Sequence, residues 1–139
     1  MKLSLFTLMS FLITLSAWGI QNNLYKYKLN SHQKKVGQYF FYDSNTKTSL
    51  SENCYNASLR PKNCLARNRF ERPTSLKKFK KTHPNASIGK SICENNLSGQ
   101  TIYLSSEKRA MEDFCFFKED NSSISNASLL YKYGNLFIE

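Results

Sequence analysis

The stretch DFCFFKEDNSSISNASLLY, residues 113–131, places Cys115 inside an apolar, aromatic run, which a polar turn separates from a second apolar run. Aromatic residues favour strands, so MEDFCFF, residues 111–117, predicts a strand. SLLYKY, residues 128–133, predicts a last short helix or strand that covers a sheet. The stretch therefore predicts a strand that needs a neighbouring strand and a partner for its cysteine.

The preceding residues supply both partners. QTIYLS, residues 100–105, predicts a strand, and SEKRA after it predicts a hairpin connection. The segment from Pro84 to Gly99 predicts a short helix that carries Cys93, because proline favours the first turn of a helix and glycine follows its C-terminus. A disulfide between Cys93 and Cys115 would then hold this helix on the two strands, in a chain too small to hold it by burial alone.

All four cysteines follow the N-terminal apolar segment, and an even number of cysteines in an exported chain predicts disulfides. Three pairings are possible. We favour Cys54 with Cys64 and Cys93 with Cys115, because each bond then closes a local loop and stabilises the domain by about 3 kcal/mol. The cysteine spacings lack the paired clips of zinc sites, so we expect no bound metal.

A charge-free apolar run, residues 3–15, is typical of a signal peptide and is short for a membrane span. Ala17 and Gly19 provide the small residues that signal peptidase recognises. We therefore expect removal of residues 1–19, with cleavage after Ala17 as the alternative; an uncleaved anchor is the competing interpretation. No later stretch is apolar enough to cross a membrane. The sequence predicts a secreted or periplasmic protein.

The basic region at residues 20–82 contains two strand candidates, LYKYKL at 24–29 and VGQYFFYD at 36–43. DSNTKTS predicts a loop, and SLSENCYNASLR predicts a short helix that carries Cys54. We find no internal repeat. The module at residues 83–139 completes the predicted organisation. The predicted fold class is α+β: a small disulfide-stapled domain with short helices packed on an antiparallel β-hairpin or small sheet.

Charge divides the chain sharply. Residues 20–90 carry eleven Lys and four Arg against three acids, a net of +12, whereas residues 91–139 carry a net of −3. The excess peaks from Arg60 to Lys90, where SLKKFKKTHP predicts a short amphipathic helix that begins near Ser75. Such a run either attracts polyanions and anionic membrane surfaces or is a solvated face, which is our preferred interpretation. The candidate anion-binding residues are Arg67, Arg69, Arg72, Lys77, Lys78, Lys80 and Lys81.

With departures at three places, residues 83–133 match a spaced pattern: Asn-Pro-Ala-Ser, a cysteine, a Gly-Gly pair, then cysteine, aromatic, Asp-Gly-Ser and a closing Leu-aromatic. The pattern resembles that of a small bacterial envelope family known as domain of unknown function 333, whose members often carry a hemolysin label. Here HPNAS replaces NPAS, Ser98 replaces the first glycine, and EDNS replaces DGS. In EDNS, Asn121 tolerates the left-handed turn that glycine adopts. The matching residues are Ala86, Ser87, Cys93, Gly99, Cys115, Phe117, Asp120, Ser122, Leu130 and Tyr131.

This resemblance implies a secreted or periplasmic protein of unknown activity. The residues themselves show no lytic feature, because they contain no long amphipathic hairpin, no glycine-rich calcium repeat and no apolar insertion segment. A hemolysin label on this chain would therefore be an inherited one.

Catalytic signatures are absent from the sequence. His32 and His83, with a nearby lysine, are the ingredients of a secreted ribonuclease, but neither lies in a recognisable catalytic motif. We therefore predict an exported non-enzymatic module without a cofactor. The alternative is a cationic secreted effector that binds nucleic acid or anionic membrane surfaces through residues 60–90.

Overall fold

Six antiparallel strands close into a barrel in the computed structural model, which describes residues 23–31, 37–73 and 87–137. The strand order around the barrel is β1-β2-β3-β6-β5-β4. The strands are β1 Leu24–Ser31, β2 Gly37–Asp43, β3 Thr48–Ser51, β4 Gln100–Ser106, β5 Arg109–Phe117 and β6 Ser122–Ser125. The α-helices of this described part are α1 Leu65–Glu71, α2 Ile88–Ser91 and α3 Asn126–Tyr133, and a π-helix, Ile92–Asn96, continues α2.

The predicted α+β arrangement is wrong, because the chain forms a closed, mostly β structure rather than helices packed on a hairpin. Strands β1, β2, β4 and β5 lie where alternation and aromatic content predict them. The sequences of β3 and β6, TSLS and SSIS, each carry one large apolar residue, so composition predicts a loop and a turn there instead. The helix predicted across SLSENCYNASLR is also wrong, since only a 3-10 turn, Glu52–Cys54, forms within it.

The barrel consists of two three-stranded halves, β1–β3 and β4–β6, in which β2–β3 and β5–β6 share one pairing register. Phe40 pairs with Ser51 between β2 and β3, and the residues 74 positions later, Phe114 and Ser125, pair in the same way between β5 and β6. The sequence shows no internal repeat, but the backbone pairing of these strands does. Backbone register carries the repeat, whereas most equivalent side chains differ.

The two turns that connect these equivalent strands share one backbone conformation. Lys47 in the β2–β3 turn and Asn121 in the β5–β6 turn are also 74 residues apart, and both have a φ of 55°. The left-handed conformation predicted for Asn121 is confirmed. A lysine adopts this conformation at a cost of about 1 kcal/mol, so the fold imposes the turn on the first half as well.

The two halves meet at two short seams. β3 pairs with β6 at Leu50 and Ile124, which are equivalent residues, so a pseudo-two-fold axis passes through this pair. Beside it, the backbone N–H of Ser123 donates to the hydroxyl of Ser51 at 2.8 Å. On the other side, β1 pairs with β4 over two residue pairs and closes the barrel.

The barrel interior is apolar and aromatic. The rings of Phe40 and Phe114, equivalent residues of β2 and β5, have centroids 4.4 Å apart. Leu29 and Leu104 complete a fully buried cluster, against which Tyr27 packs. Burial of side chains of this size is worth about 1.5–3 kcal/mol each.

A second core fills the space between the barrel wall and the helices. Side chains alternate across a strand, so Phe114 of β5 faces the interior while Cys115 and Phe117 face the helices. The two disulfides join Cys54 to Cys64 and Cys93 to Cys115, the pairing that loop locality predicts. The other main members of this core are Leu50, Ala66, Ile92, Leu97, Ile124, Leu129 and Tyr133.

Gly99 is required for the close approach of the Cys93–Cys115 bridge. A Cβ atom at Gly99 would overlap the Sγ of Cys115 and lie 3.0 Å from the Sγ of Cys93. We expect Gly99→Ala to reduce the free energy of unfolding by about 1–3 kcal/mol, as overpacking of a core does. Urea denaturation of the oxidised protein measures the change.

Gly134→Ala is the matched control. There the new Cβ meets the tip of the Leu130 side chain at 3.1 Å, which can rotate away. Equal stability of the two alanine variants would contradict the assigned role of Gly99.

Candidate ligand-binding groove

A groove of about 480 Å³ lies between the β2–β3 turn, the loop 55–61 and α1. We call it the Tyr55 groove. Its apolar lining consists of Leu24, Leu50, Tyr55, Leu59, Pro61 and Phe70. Its polar lining includes Asp43, Asn45, Thr46, Arg67 and Glu71.

Tyr55 is half-buried and lines this groove. Its ring packs edge-on against Phe41, with centroids 5.0 Å apart. Burial raises the pKa of the Tyr55 hydroxyl; Arg67 opposes this increase, and Asp43 adds to it. The phenol is therefore neutral at physiological pH and offers an O–H donor.

Arg67 projects from α1 towards Tyr55. Its guanidinium carbon lies 5.0 Å from the centroid of the Tyr55 ring, within the range of a cation–π contact. Its Nη2 donates to the backbone carbonyl of Cys54 at 3.2 Å. The Cys54–Cys64 disulfide ties the acceptor to the start of α1. The guanidinium is thus held in one place before any ligand arrives.

Two carboxylates lie on the same groove lining. Asp43 ends β2, and its Oδ1 accepts the backbone N–H groups of Asn45 at 2.9 Å and Thr46 at 3.4 Å. Glu71 ends α1 and is exposed. Within the residues that the structure describes, Arg67 makes no ion pair with either acid at 4.0 Å or less. Opposite charges therefore flank the groove without neutralising each other directly.

The loop that carries Leu59 is strained and tightly tied. Leu59 has a φ of 57°, a left-handed conformation that costs a non-glycine residue about 1–2 kcal/mol. The Oδ1 of Asn56 accepts the backbone N–H groups of Ser58 at 3.0 Å and Arg60 at 2.9 Å. These hydrogen bonds stabilise the strained backbone conformation. Backbone strain of this kind is concentrated at functional sites.

The equivalent turn in the second half is covered by a helix. Asp120 accepts the backbone N–H of Leu65 at 2.6 Å, and Ser122 accepts that of Ala66 at 2.9 Å, so the N-terminus of α1 docks there. Thr46 and Thr48 stand 74 residues earlier, and both line the Tyr55 groove. One half thus uses this position to bind a helix, and the other presents it as a groove.

Two of the predicted anion-binding arginines, Arg67 and Arg69, donate to different backbone carbonyls. Arg67 reaches the Cys54 carbonyl, whereas the Nη1 of Arg69 donates to the carbonyl of Leu97 at 3.2 Å. Arg72 is exposed and follows α1. Lys77, Lys78, Lys80 and Lys81, the predicted helix near Ser75, both histidines and the predicted signal peptide lie outside the described residues.

The sequence did not predict Tyr55 and Asp43, which line the groove. Tyr55 follows a disulfide cysteine, and Asp43 precedes a turn, so each has an ordinary structural explanation in the sequence. The signal that was present is the Asn-Ala-Ser-Leu-Arg segment, residues 56–60, because asparagine favours a tight turn and would tie the loop between Cys54 and Cys64.

Comparison of the chain with family models, curated proteins and solved structures finds no match. The resemblance to domain of unknown function 333 therefore stays a prediction. No helix in the described residues combines the length and apolar character needed to cross a membrane. The described ranges also hold no group of three His, Cys, Asp or Glu side chains placed to bind a metal ion.

Asp120 fixes α1, and α1 carries Arg67. We expect Asp120→Ala to lower the free energy of unfolding by about 1 kcal/mol at neutral pH, as loss of a helix N-terminal acceptor does. Glu119→Ala is the control, because it removes the same charge from an exposed neighbour. Urea unfolding that gave equal stabilities for these two variants would contradict the docking role.

The same contribution depends on pH. Partial burial raises the pKa of Asp120, but the hydrogen bonds from Ser122 and from the backbone of Leu65 outweigh it, so the pKa is lower than 3.8. A carboxyl whose pKa is depressed by folding stabilises the fold above its unfolded pKa and loses this effect as pH falls through the folded value. The wild-type protein and Asp120→Ala should therefore converge in stability as the pH falls from neutral through the folded pKa of Asp120.

Proposed function

We propose that this chain is an exported, non-enzymatic binding module that holds a small ligand in the Tyr55 groove. The observation that carries the proposal is the groove itself. Its volume of about 480 Å³ falls within the range of small-molecule sites. An apolar lining with a few convergent polar groups is the usual composition of such sites.

Two features support a binding role over a structural one. The raised pKa of Tyr55 and the left-handed Leu59 occur in the same groove, and both perturbed ionisation and backbone strain concentrate at functional sites. Arg67 and Asp43 are each fixed by hydrogen bonds to backbone groups. Such preorganisation lowers the entropic cost of binding.

Export is supported by the apolar run at residues 3–15 and by the two disulfides, which persist in oxidising compartments. A non-enzymatic role is supported by the chemistry of the described lining. It contains no histidine, and every cysteine of the chain is in a disulfide. Tyr55, Arg67 and Asp43 bind and orient well, but they form no nucleophile and base pair.

The groove lies in the half of the barrel that the family resemblance does not cover. All its lining residues fall between Asn23 and Glu71, whereas the resemblance spans residues 83–133. If the second half is the family's unit, the first half is the addition that gives this chain its own ligand. The hemolysin label therefore has no bearing on the groove.

A fragment screen followed by amide NMR tests the proposal. We expect small organic fragments to shift the resonances of Tyr55, Leu59 and Arg67 as one group. Thr46→Trp, at the exposed rim, should block these shifts because the indole fills the groove. Met111→Trp is the control, since Met111 is 60% exposed on a different strand. Shifts that scatter over the surface, or that survive Thr46→Trp, would refute the proposal.

The cationic effector is the competing function. Changing Lys77, Lys78, Lys80 and Lys81 together to Gln should reduce binding to heparin. The salt dependence of binding should also become weaker, because fewer lysine contacts release fewer counterions from the polyanion. We expect heparin affinity to be micromolar or weaker at physiological salt, and fragment binding to be unchanged. A tight, salt-resistant complex that the four changes abolish would instead establish the effector.

A further inference from the structure

The charge of the groove differs from that of the chain. The whole protein carries a net charge of +10, whereas the groove lining carries one positive residue, Arg67, against Asp43 and Glu71. A polyanion that is attracted to the basic surface meets two carboxylates here. Like charges across an interface are strongly unfavourable, so the groove selects against strongly anionic ligands.

A purely cationic ligand fits no better. Recognition of a bound cation uses the faces of aromatic rings, and cations of the protein already lie over the two rings that line the groove. Arg67 lies over Tyr55 at 5.0 Å, and Lys132 lies over Phe70 at 4.1 Å. Arg67 would also repel a second positive charge at close range.

Opposite charges on one lining, not paired with each other, complement a ligand that carries both. Arg67 and Asp43 line the groove together with Tyr55, and their charged atoms are more than 4.0 Å apart. The Arg67 fork suits a carboxylate, and the Asp43 carboxylate suits an ammonium group. Leu24, Leu59 and Pro61 provide an apolar surface beside them.

The ligand class of the Tyr55 groove rests on the binding function proposed above. We propose that the Tyr55 groove binds a zwitterion with an apolar side chain, such as a free amino acid or a dipeptide. Its carboxylate contacts Arg67, its ammonium group contacts Asp43 with Glu71 nearby, and its side chain covers Leu59. The groove of about 480 Å³ accommodates a molecule of this size.

Calorimetric titration with trimmed ligands tests the proposal on the full exported chain. L-leucine is the reference probe, 3-methylbutylamine lacks the carboxylate, and 4-methylpentanoate lacks the amine. We expect each trimmed probe to bind the wild-type protein about tenfold more weakly than leucine, because each loses one charge-assisted contact.

Two variants assign the contacts. Asp43→Asn keeps an oxygen for the Asn45 and Thr46 amides and should erase the preference for leucine over 4-methylpentanoate. Arg67→Gln should erase the preference for leucine over 3-methylbutylamine. Arg109→Gln is the control, because Arg109 pairs with Glu112 at 3.1 Å outside the groove, and it should change neither preference. If Arg67→Gln fails to fold, Asp43→Asn and the trimmed probes still decide the matter.

The outcomes separate the two proposals. Equal binding of all three probes, or preferential binding of a neutral disaccharide such as maltose, overturns the zwitterion assignment. If the zwitterions do not bind but fragments do, and Thr46→Trp blocks them, the groove remains a ligand site and only its ligand class is wrong. If nothing binds the groove, both proposals fail.

Discussion

The pairing of Leu50 with Ile124 is the constraint on which the rest of the structure depends, because it joins two three-stranded halves that would otherwise each expose an unpaired edge. One residue pair is a short ladder, and serine hydroxyls reinforce it. Ser51 accepts the amide of Ser123, and Ser128 of α3 accepts the amide of Ser49 at 2.9 Å.

This seam also determines where α1 lies, and through α1 the shape of the groove. The N-terminus of α1 docks on the β5–β6 turn, whereas its Arg67 reaches the loop that follows β3. Its other end is held from α3, because Lys132 donates to the carbonyl of Phe70 at 2.8 Å and the Tyr133 hydroxyl donates to the same oxygen. The helix therefore bridges both halves. Because both of its ends are hydrogen-bonded to other elements, the wall that α1 forms in the Tyr55 groove has a fixed position.

The sequence predicted the four long strands, because alternating or aromatic runs such as LYKYKL and MEDFCFF bury one face. It did not predict β3 and β6, where Ser49 and Ser123 are buried despite a low strand propensity, and where their backbone N–H groups donate to serine hydroxyls of other segments. Barrel closure depends on those two strands, so the fold class predicted without them was wrong. Arg67 was singled out for its charge, whereas its location depends on a long-range bond of Asp120 that no local pattern encodes.

The two halves differ at equivalent positions, and this difference explains where the Tyr55 groove lies. In the second half, Asp120 and Ser122 accept helix amides, so their turn is covered and its polar groups are satisfied within the fold. In the first half, no helix docks on the equivalent Thr46 and Thr48. The strained Leu59 loop and α1 leave a groove beside these two residues. Stability does not require a second covered turn, because α1 bridges the halves and Ser128 of α3 also accepts the amide of Ser49. The other turn is therefore free to specify a ligand, and substitutions at its rim should affect binding more than folding.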